Sequence, residues 1–254
     1  ATIAALEAGK HVLCEKPMAI NAAEALAVGL ALYAAGPAAP ASVAGHAAWA
    51  ASRLGLPVEI AHVLGRRIAT NFDLSGNLDA NARTNLLRQM ADLDEQHGKL
   101  AQQKGRAILD GARSEVEAVG GVEVSTKLRN GDLLEALGDL EADAEMVVIG
   151  KRGEAADFAR LHLGSNLERV VRSSKKPVLV ASRSHEPFDR FVIAYDGGTS
   201  AHRAVDYVAA SPLLKGLSCT LLLVGADTPE NRSRLDAPFG RLREGGFEVE
   251  ARLR

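Results

Sequence analysis

Apolar and polar positions along this chain switch repeatedly between a strand-like and a helix-like pattern. MVVIG (Met146–Gly150) and PVLVAS (Pro177–Ser182) are continuous apolar runs of strand length, as expected of strands buried on both faces of a parallel sheet. Between them lie a glycine-bearing segment, KRGEAADFARLHLGSN, and the helical pattern LERVVRSS. The stretch therefore reads as strand, loop, helix, strand. Upstream, HAAWAASRLG is expected to be a short helix ending at Gly55, PVEIAHVL a strand, and Gly65 to Asn81 a polar connection. A long helix is predicted from Ala82 to Val119, with Leu86, Met90, Leu93, Leu100, Ala107, Ile108 and Ala112 near helical spacing. Its Glu95, Lys99, Lys104 and Arg106 read as a solvated face. Beyond the Gly120-Gly121 break, VEVSTKL is a strand and GDLLEALGDLEAD a helix.

A second unit opens after a hinge at Ser184–Pro187. FVIAYDGG is a strand, TSAHRAVDYVAASPLL a helix with Thr199 or Ser200 as cap, and SCTLLLVGA a strand. TPENRSRLDAPFGRLREGG is a charged helix expected to break near Pro238, and FEVEARLR a final strand. The order strand, helix, strand, helix, strand thus recurs, and the repeat is partial. Together the elements predict an α/β fold, a parallel sheet flanked by helices, with one nearly complete domain and part of a second.

The N-terminal region reads differently. ATIAALEAGK is a helix, HVLCEKP a short strand stopped by Pro17, and NAAEALAVGLAL the start of another helix capped by Asn21. Residues 28–45 are alanine-rich, poor in charge and broken by Gly36, Pro37, Pro40 and Gly45, and are expected to be a junction without regular structure. The expected division is 1–27, junction 28–45, a domain over 46–183 that lacks its first strand, and half of a second domain over 188–254. With Ala1 in first place a mature or truncated N-terminus is expected, and the two incomplete domains make the chain read as a fragment or a fused gene product. A bolder expectation is that FVIAYDGG fills the empty slot in the first sheet and carries Asp196 to the glycine loop.

Composition narrows the function classes. Thirty basic residues against 32 acidic ones leave a net charge of −2, and aromatics make up 4%; neither suits a nucleic-acid surface or a base-stacking platform. No apolar run reaches membrane-spanning length. Cys14 and Cys219 are far apart in sequence and lack partners at metal spacing, so they read as buried thiols of a reducing, cytoplasmic compartment.

Candidate chemistry gathers in the central stretch. Gly150 and Gly153 fall at the carboxyl end of a strand, where open parallel sheets bind ligands and where a chain without Cβ lets a ligand approach. Gly164, Ser165 and Asn166 mark the start of the next helix, with Ser165 or Asn166 as its cap; its free N–H groups and partial positive charge suit phosphate. Lys151 and Arg152 are candidates for neutralising phosphates, with plain surface charge as the alternative. His162 either touches phosphate or faces solvent. His62 reads as a hydrogen-bonded histidine at a strand end, and Asp139, Glu141, Asp143 and Glu145 as a helix end and turn. Ser165 lacks His and Asp partners at a recognisable spacing, and no Walker-type lysine loop is present. No catalytic residue and no metal ligand is assigned.

Two resemblances extend this reading. ALEAGKHVLCEKPMAINAAEA, with Glu15-Lys16-Pro17, resembles a fragment of the glucose–fructose oxidoreductase type of dehydrogenase. That likeness implies a nicotinamide near Lys16 in a complete enzyme; without a glycine-rich fingerprint before it, dehydrogenase activity is not expected here. MVVIGKRGEAADFARLHLGSNLERVVRSSKKPVLVAS resembles the end of a universal stress protein domain, and FVIAYDGGTSAHRAVDYVA the start of a second one. This likeness covers roughly Gly45 to Arg254. It implies a flavodoxin-like fold with a five-stranded parallel sheet per domain, in dimers or tandem pairs, with ATP bound by some members and not by others. By position it implies that Gly150, Gly153, Gly164, Ser165 and Asn166 hold phosphate and ribose, and that Asp196 sits near adenine. The expected function is a stress-response module binding ATP or a related nucleotide, with Mg2+, and turning it over slowly or not at all. The alternative is a homo-oligomeric interaction protein of the same fold that pairs through its terminal strands without nucleotide.

Overall fold

The structure, a computed structural model, describes residues 12–14, 28–33, 40–65, 80–150, 165–182 and 185–254. The described elements in chain order are β1 (Val12–Cys14), β2 (Val28–Tyr33), α1 (Pro40–Leu54), β3 (Val58–Leu64), α2 (Ala80–Val119), β4 (Val124–Asn130), α3 (Leu133–Leu140), a 3-10 turn (Glu141–Asp143), β5 (Ala144–Gly150), α4 (Ser165–Ser173) and β6 (Val178–Ala181). A second set follows as β7 (Arg190–Tyr195), α5 (Thr199–Ala210), β8 (Ser218–Leu223), α6 (Pro229–Glu244) and β9 (Val249–Leu253).

The first set builds a six-stranded sheet in the order β1-β6-β5-β2-β3-β4, and the second a three-stranded sheet β7-β8-β9. Every pairing is parallel except β1 on β6, where Val12 lies opposite Val180. β5 shows why its sequence is apolar throughout. Met146 and Val148 join a core with α1 and the C-terminal half of α2, through Val58, Ile60, Leu109, Ala112 and Val116. Val147 and Ile149 join the opposite core with α3 and α4, through Leu137, Leu140, Leu167 and Val170. Both faces are covered, so no polar alternation survives. A small void of about 10 Å³ lies beneath α1, lined by Ala47, Ala50 and Ala51 with Met146 and Val148.

Several expectations change. The stretch 28–45 is not an unstructured junction: Val28–Tyr33 forms β2, and α1 already begins at Pro40. β2 pairs with β3 on one side and β5 on the other, with Leu32 opposite Ile149, so the domain does not lack its central strand. The slot is occupied by β2 rather than by Phe191–Tyr195, which pairs with β8 instead; the bolder expectation for Asp196 is therefore overturned. A buried slot flanked by two parallel strands leaves rows of unpaired backbone groups, and any apolar strand that fills it removes that cost. Neither Thr199 nor Ser200 caps α5: its N-cap is Gly198. α6 continues through Pro238, which lies buried within it; loss of one backbone donor is tolerated where the ring packs into the core.

The two sheets meet through α1 and the segment before β7. The His46 and His185 rings stack edge to face at 4.8 Å, and Trp49 lies 4.7 Å from Phe188. Arg53 sits over Trp49 and donates to the Lys215 carbonyl at 2.7 Å. In the second unit α5 and α6 cover one face, packing Val205, Val208, Leu235 and Leu242 against Ile193, Tyr195, Leu221 and Leu223. Val192 on the other face is 53% exposed.

Candidate functional site

In the six-stranded sheet, chain order runs outward in one direction from β2 through β3 to β4 and in the other from β5 to β6. The reversal falls between β2 and β5, and a crevice at the carboxyl ends of these strands is where such sheets take ligands. Gly150 stands at that point: it ends β5, opposite Ala181 on β6, one residue beyond the Ile149–Leu32 pair. α4 starts at Ser165, and its first turns are anchored by the buried Leu167 and Val170. Asn166 is half-buried in the first turn. Of the nucleotide-site candidates, Lys151, Arg152, Gly153, His162 and Gly164 lie outside the described residues.

The neighbouring helix α3 is tied to α4 at the same sheet edge. The Asp132 side chain caps α3 by accepting from the Leu134 N–H at 2.8 Å, and it accepts from Arg169 Nη2 at 2.9 Å. The Arg169 hydrogen bond, then the backbone bond from Leu134, holds the Asp132 carboxyl below its ordinary value. Of the acidic run at the other end of these helices, Glu141 has a structural role. Glu141 is buried and accepts from Ser174 Oγ at 2.9 Å and from the Lys175 N–H at 3.1 Å. It thereby receives the end of α4, and is not half of a catalytic acid pair. His62 lies in β3 beneath α2, where a Cβ on Gly105 would stand 3.2 Å from its ring.

Asp196 lies elsewhere, directly after β7 in the three-stranded sheet. Its Oδ1 accepts from the Gly198 N–H at 2.7 Å across a turn in which Gly197 has φ +80°, a backbone region that glycine adopts without strain. Around it the structure gathers residues that the sequence reading did not single out. Tyr195 Oη lies 3.1 Å from His202 Nε2, with the rings edge to face. Burial pushes the Tyr195 phenol up; the Asp196 charge adds to the rise and Arg234 opposes it. The sequence signal was a tyrosine at a strand end seven residues before a histidine in the next helix, too common a spacing to stand out. Among the described residues no group of three or more His, Cys, Asp or Glu side chains is placed to hold a metal, and no helix is long and apolar enough to cross a membrane.

Comparison with known proteins agrees with this architecture. The model of the universal stress protein family matches residues 31–182, beginning within β2, and a model of the oxidoreductase family with an NAD-binding Rossmann fold matches residues 1–36. Universal stress protein Slr1230 from Synechocystis sp. is 33% identical over 213 residues, 82% of this chain and 74% of that protein. A universal stress protein structure from Archaeoglobus fulgidus DSM 4304 superposes with a TM-score of 0.62 at 20% identity, covering 89% of this chain and 77% of that one. The Archaeoglobus fulgidus universal stress protein in complex with dAMP gives 0.39 at 19% identity, over 61% of this chain and 98% of that one. The match over β2 to β6, with the extended identity to a curated member, places this chain in the universal stress protein family.

Proposed function

We propose that the chain is a stress-response module that binds ATP or a related nucleotide at the carboxyl edge of β2 and β5. The observation carrying this reading is Gly150 at the point where strand order reverses, with α4 opening at Ser165 across the same edge. Phosphate would be held by the backbone of Gly150, Gly153 and Gly164 and by the first turn of α4 at Ser165 and Asn166, with Lys151, Arg152 and His162 beside it. A bound Mg2+ would offset phosphate charge. Slow turnover or none follows from the lack of an identifiable general base in the sequence. On the same reading, residues 188–254 are the first half of a second domain, in which Asp196 serves its own site. Residues 1–27 are an oxidoreductase-derived piece without dehydrogenase activity, and the protein is a cytoplasmic homo-oligomer.

A second reading is favoured by one observation. β2 ends in Leu32-Tyr33, and Ala34 follows in the sequence, where a first strand of the resembled family would end in Asp-Gly. Without that carboxylate the first domain is an interaction module that takes no nucleotide. Calorimetric titration with ATP and Mg2+, alongside Gly164→Asp, separates the two. Saturable binding lost in the variant supports the nucleotide site, whereas a folded protein that takes up no ATP leaves the interaction module. Replacing Gly153 by Val should likewise abolish binding, and unchanged affinity would remove that loop from the site.

A further inference from the structure

We propose that residues 185–188, which lead from one unit to the other, form a pH-sensitive latch on α1: the unit of β7 to β9 is held while His185 is neutral and released when His185 takes up a proton. Neither nucleotide nor a second copy of the chain is needed for it. One stripe of α1 carries the joint. Ser42, His46, Trp49 and Arg53 follow one another at steps of four, three and four residues, which sets them on one face of the helix. Ser42 Oγ donates to the Ser182 carbonyl just after β6. The His46 ring meets His185 edge to face, Trp49 packs on Phe188, and Arg53 reaches the Lys215 carbonyl in the second unit. A single helix face therefore follows the chain from one sheet to the next.

His185 is the tight point of this stripe. A Cβ on Gly45 would stand 3.0 Å from His185 Cβ and 3.2 Å from its Cγ, so the glycine is what lets the imidazole lie against the helix. His46 is held in place: it is 1% exposed, and its Nδ1 donates to the Ser42 carbonyl at 2.7 Å. The His185 Nε2 is buried and has no hydrogen-bond partner among the described residues. A neutral imidazole can leave that nitrogen bare by carrying its hydrogen on Nδ1, whereas the imidazolium carries hydrogen on both. Protonation thus places a donor and a charge where nothing receives them, and moving the ring into water removes that cost.

The ionisable groups on the surrounding elements are His46 and Arg53 of α1, Lys215 before β8, and Glu186, Asp189 and Arg190 along the same stretch of chain. Burial, and none of these charges, holds the His185 imidazole below its ordinary 6.5. The docked form has the lowered value. Docking is therefore at full strength above pH 6.5 and weakens about tenfold per pH unit as pH falls from there toward the lowered value. Both units keep their own cores, so release separates them without unfolding either.

Urea unfolding of the full chain, followed by Trp49 emission and by far-UV circular dichroism, tests the latch. Trp49 is the single tryptophan and lies within the joint. In the wild type the two transitions are expected to coincide at about pH 8, and at about pH 5 the emission is expected to change at lower urea than the dichroism. His185→Phe keeps a ring against His46 and takes up no proton, so its transitions should coincide at both pH values. His185→Gln, smaller and equally unable to charge, should behave alike. Coincident transitions in the wild type at the acid pH, or a separation that persists in these two variants, overturns the proposal.

Discussion

Close packing at single residues sets the sharpest limits. α2 crosses the sheet at Gly105, where a Cβ would lie 2.8 Å from Leu128 Cδ1 and 3.2 Å from His62 Cδ2. The first contact is the far end of a flexible side chain and can give way. Alanine at this position gains about 1 kcal/mol of helix propensity over glycine, so Gly105→Ala should come out near neutral. Gly105→Leu has nowhere to go and should cost about 1–3 kcal/mol by overpacking. At Gly98 a Cβ meets nothing within 4 Å, and Gly98→Ala should stabilise by up to about 1 kcal/mol. Urea unfolding of the three variants checks the order, and a strongly stabilised Gly105→Leu would contradict the close approach of α2 to β4. Cys219 makes a different point. Burial pushes its thiol up from 9.0 to about 12, so the native side chain stays protonated and inert at pH 8. Because the folded value is raised, its contribution to stability is complete below pH 9.0 and lost as pH climbs toward about 12. In a Cys14→Ser background, iodoacetamide should label the protein only at the rate at which it unfolds.

The α3–α4 pair shows how elements at the candidate site are held in register. Asp132 caps α3 and grips Arg169 of α4. Asp132→Ala should therefore destabilise more than Asp132→Asn, which keeps a capping acceptor and loses only the charge, and Arg169→Ala should resemble the asparagine variant because the ion pair is exposed. The folded Asp132 carboxyl lies below its ordinary value of 3.8, so this contribution is present above that pH and fades as pH falls through the lowered value. Thermal melts between neutral and acid pH should see the gap between wild type and Asp132→Asn close; a constant gap would mean that the pair carries no charge effect. The helix GDLLEALGDLEAD was readable from its apolar spacing, whereas the capping role of Asp132 was not singled out. β2 was not readable. VGLALY sits among alanines with no polar alternation and no turn residues against it. A central strand buried between two neighbours is apolar throughout, a pattern that short helix and apolar linker share. The prolines that looked like breakers stand next to α1 and, at Pro40, open it, a position where a missing N–H costs nothing. Of the site, the sequence marked the glycines and the α4 start through their residue types. It assigned FVIAYDGG and Asp196 to a second unit but left open whether that strand also fills the first sheet, because strand partners are fixed by pairing across the fold and not by local pattern.

At the scale of the whole molecule, the two sheets share one apolar cluster, and among the described residues the ring and hydrogen-bond contacts joining them centre on α1. Trp49 packs on Phe188, Arg53 covers Trp49 and reaches the Lys215 carbonyl, and His46 meets His185. Each unit otherwise buries its own strands under its own helices, which is how independently cooperative units arise. α1 therefore acts as the mechanical link: it covers β2 and β3 with its alanines and offers Trp49 outward to the neighbouring unit. Removing the ring should weaken the coupling more than it weakens either core. Calorimetric melting of the wild type should show one transition, and Trp49→Ala should split it into two, with the unit of β7 to β9 melting first because one face of its sheet is partly open at Val192. Arg53→Ala should give a smaller effect in the same direction, through loss of a hydrogen bond and a cation–π contact at a half-exposed site. Trp49 is the single tryptophan, so wild-type fluorescence reports this junction alone. If the link is as local as these contacts indicate, the fluorescence change should coincide with the first step of any two-step unfolding induced by Arg53→Ala. A fluorescence transition that follows β-sheet loss in the larger unit instead would place Trp49 in that core and deny α1 its coupling role.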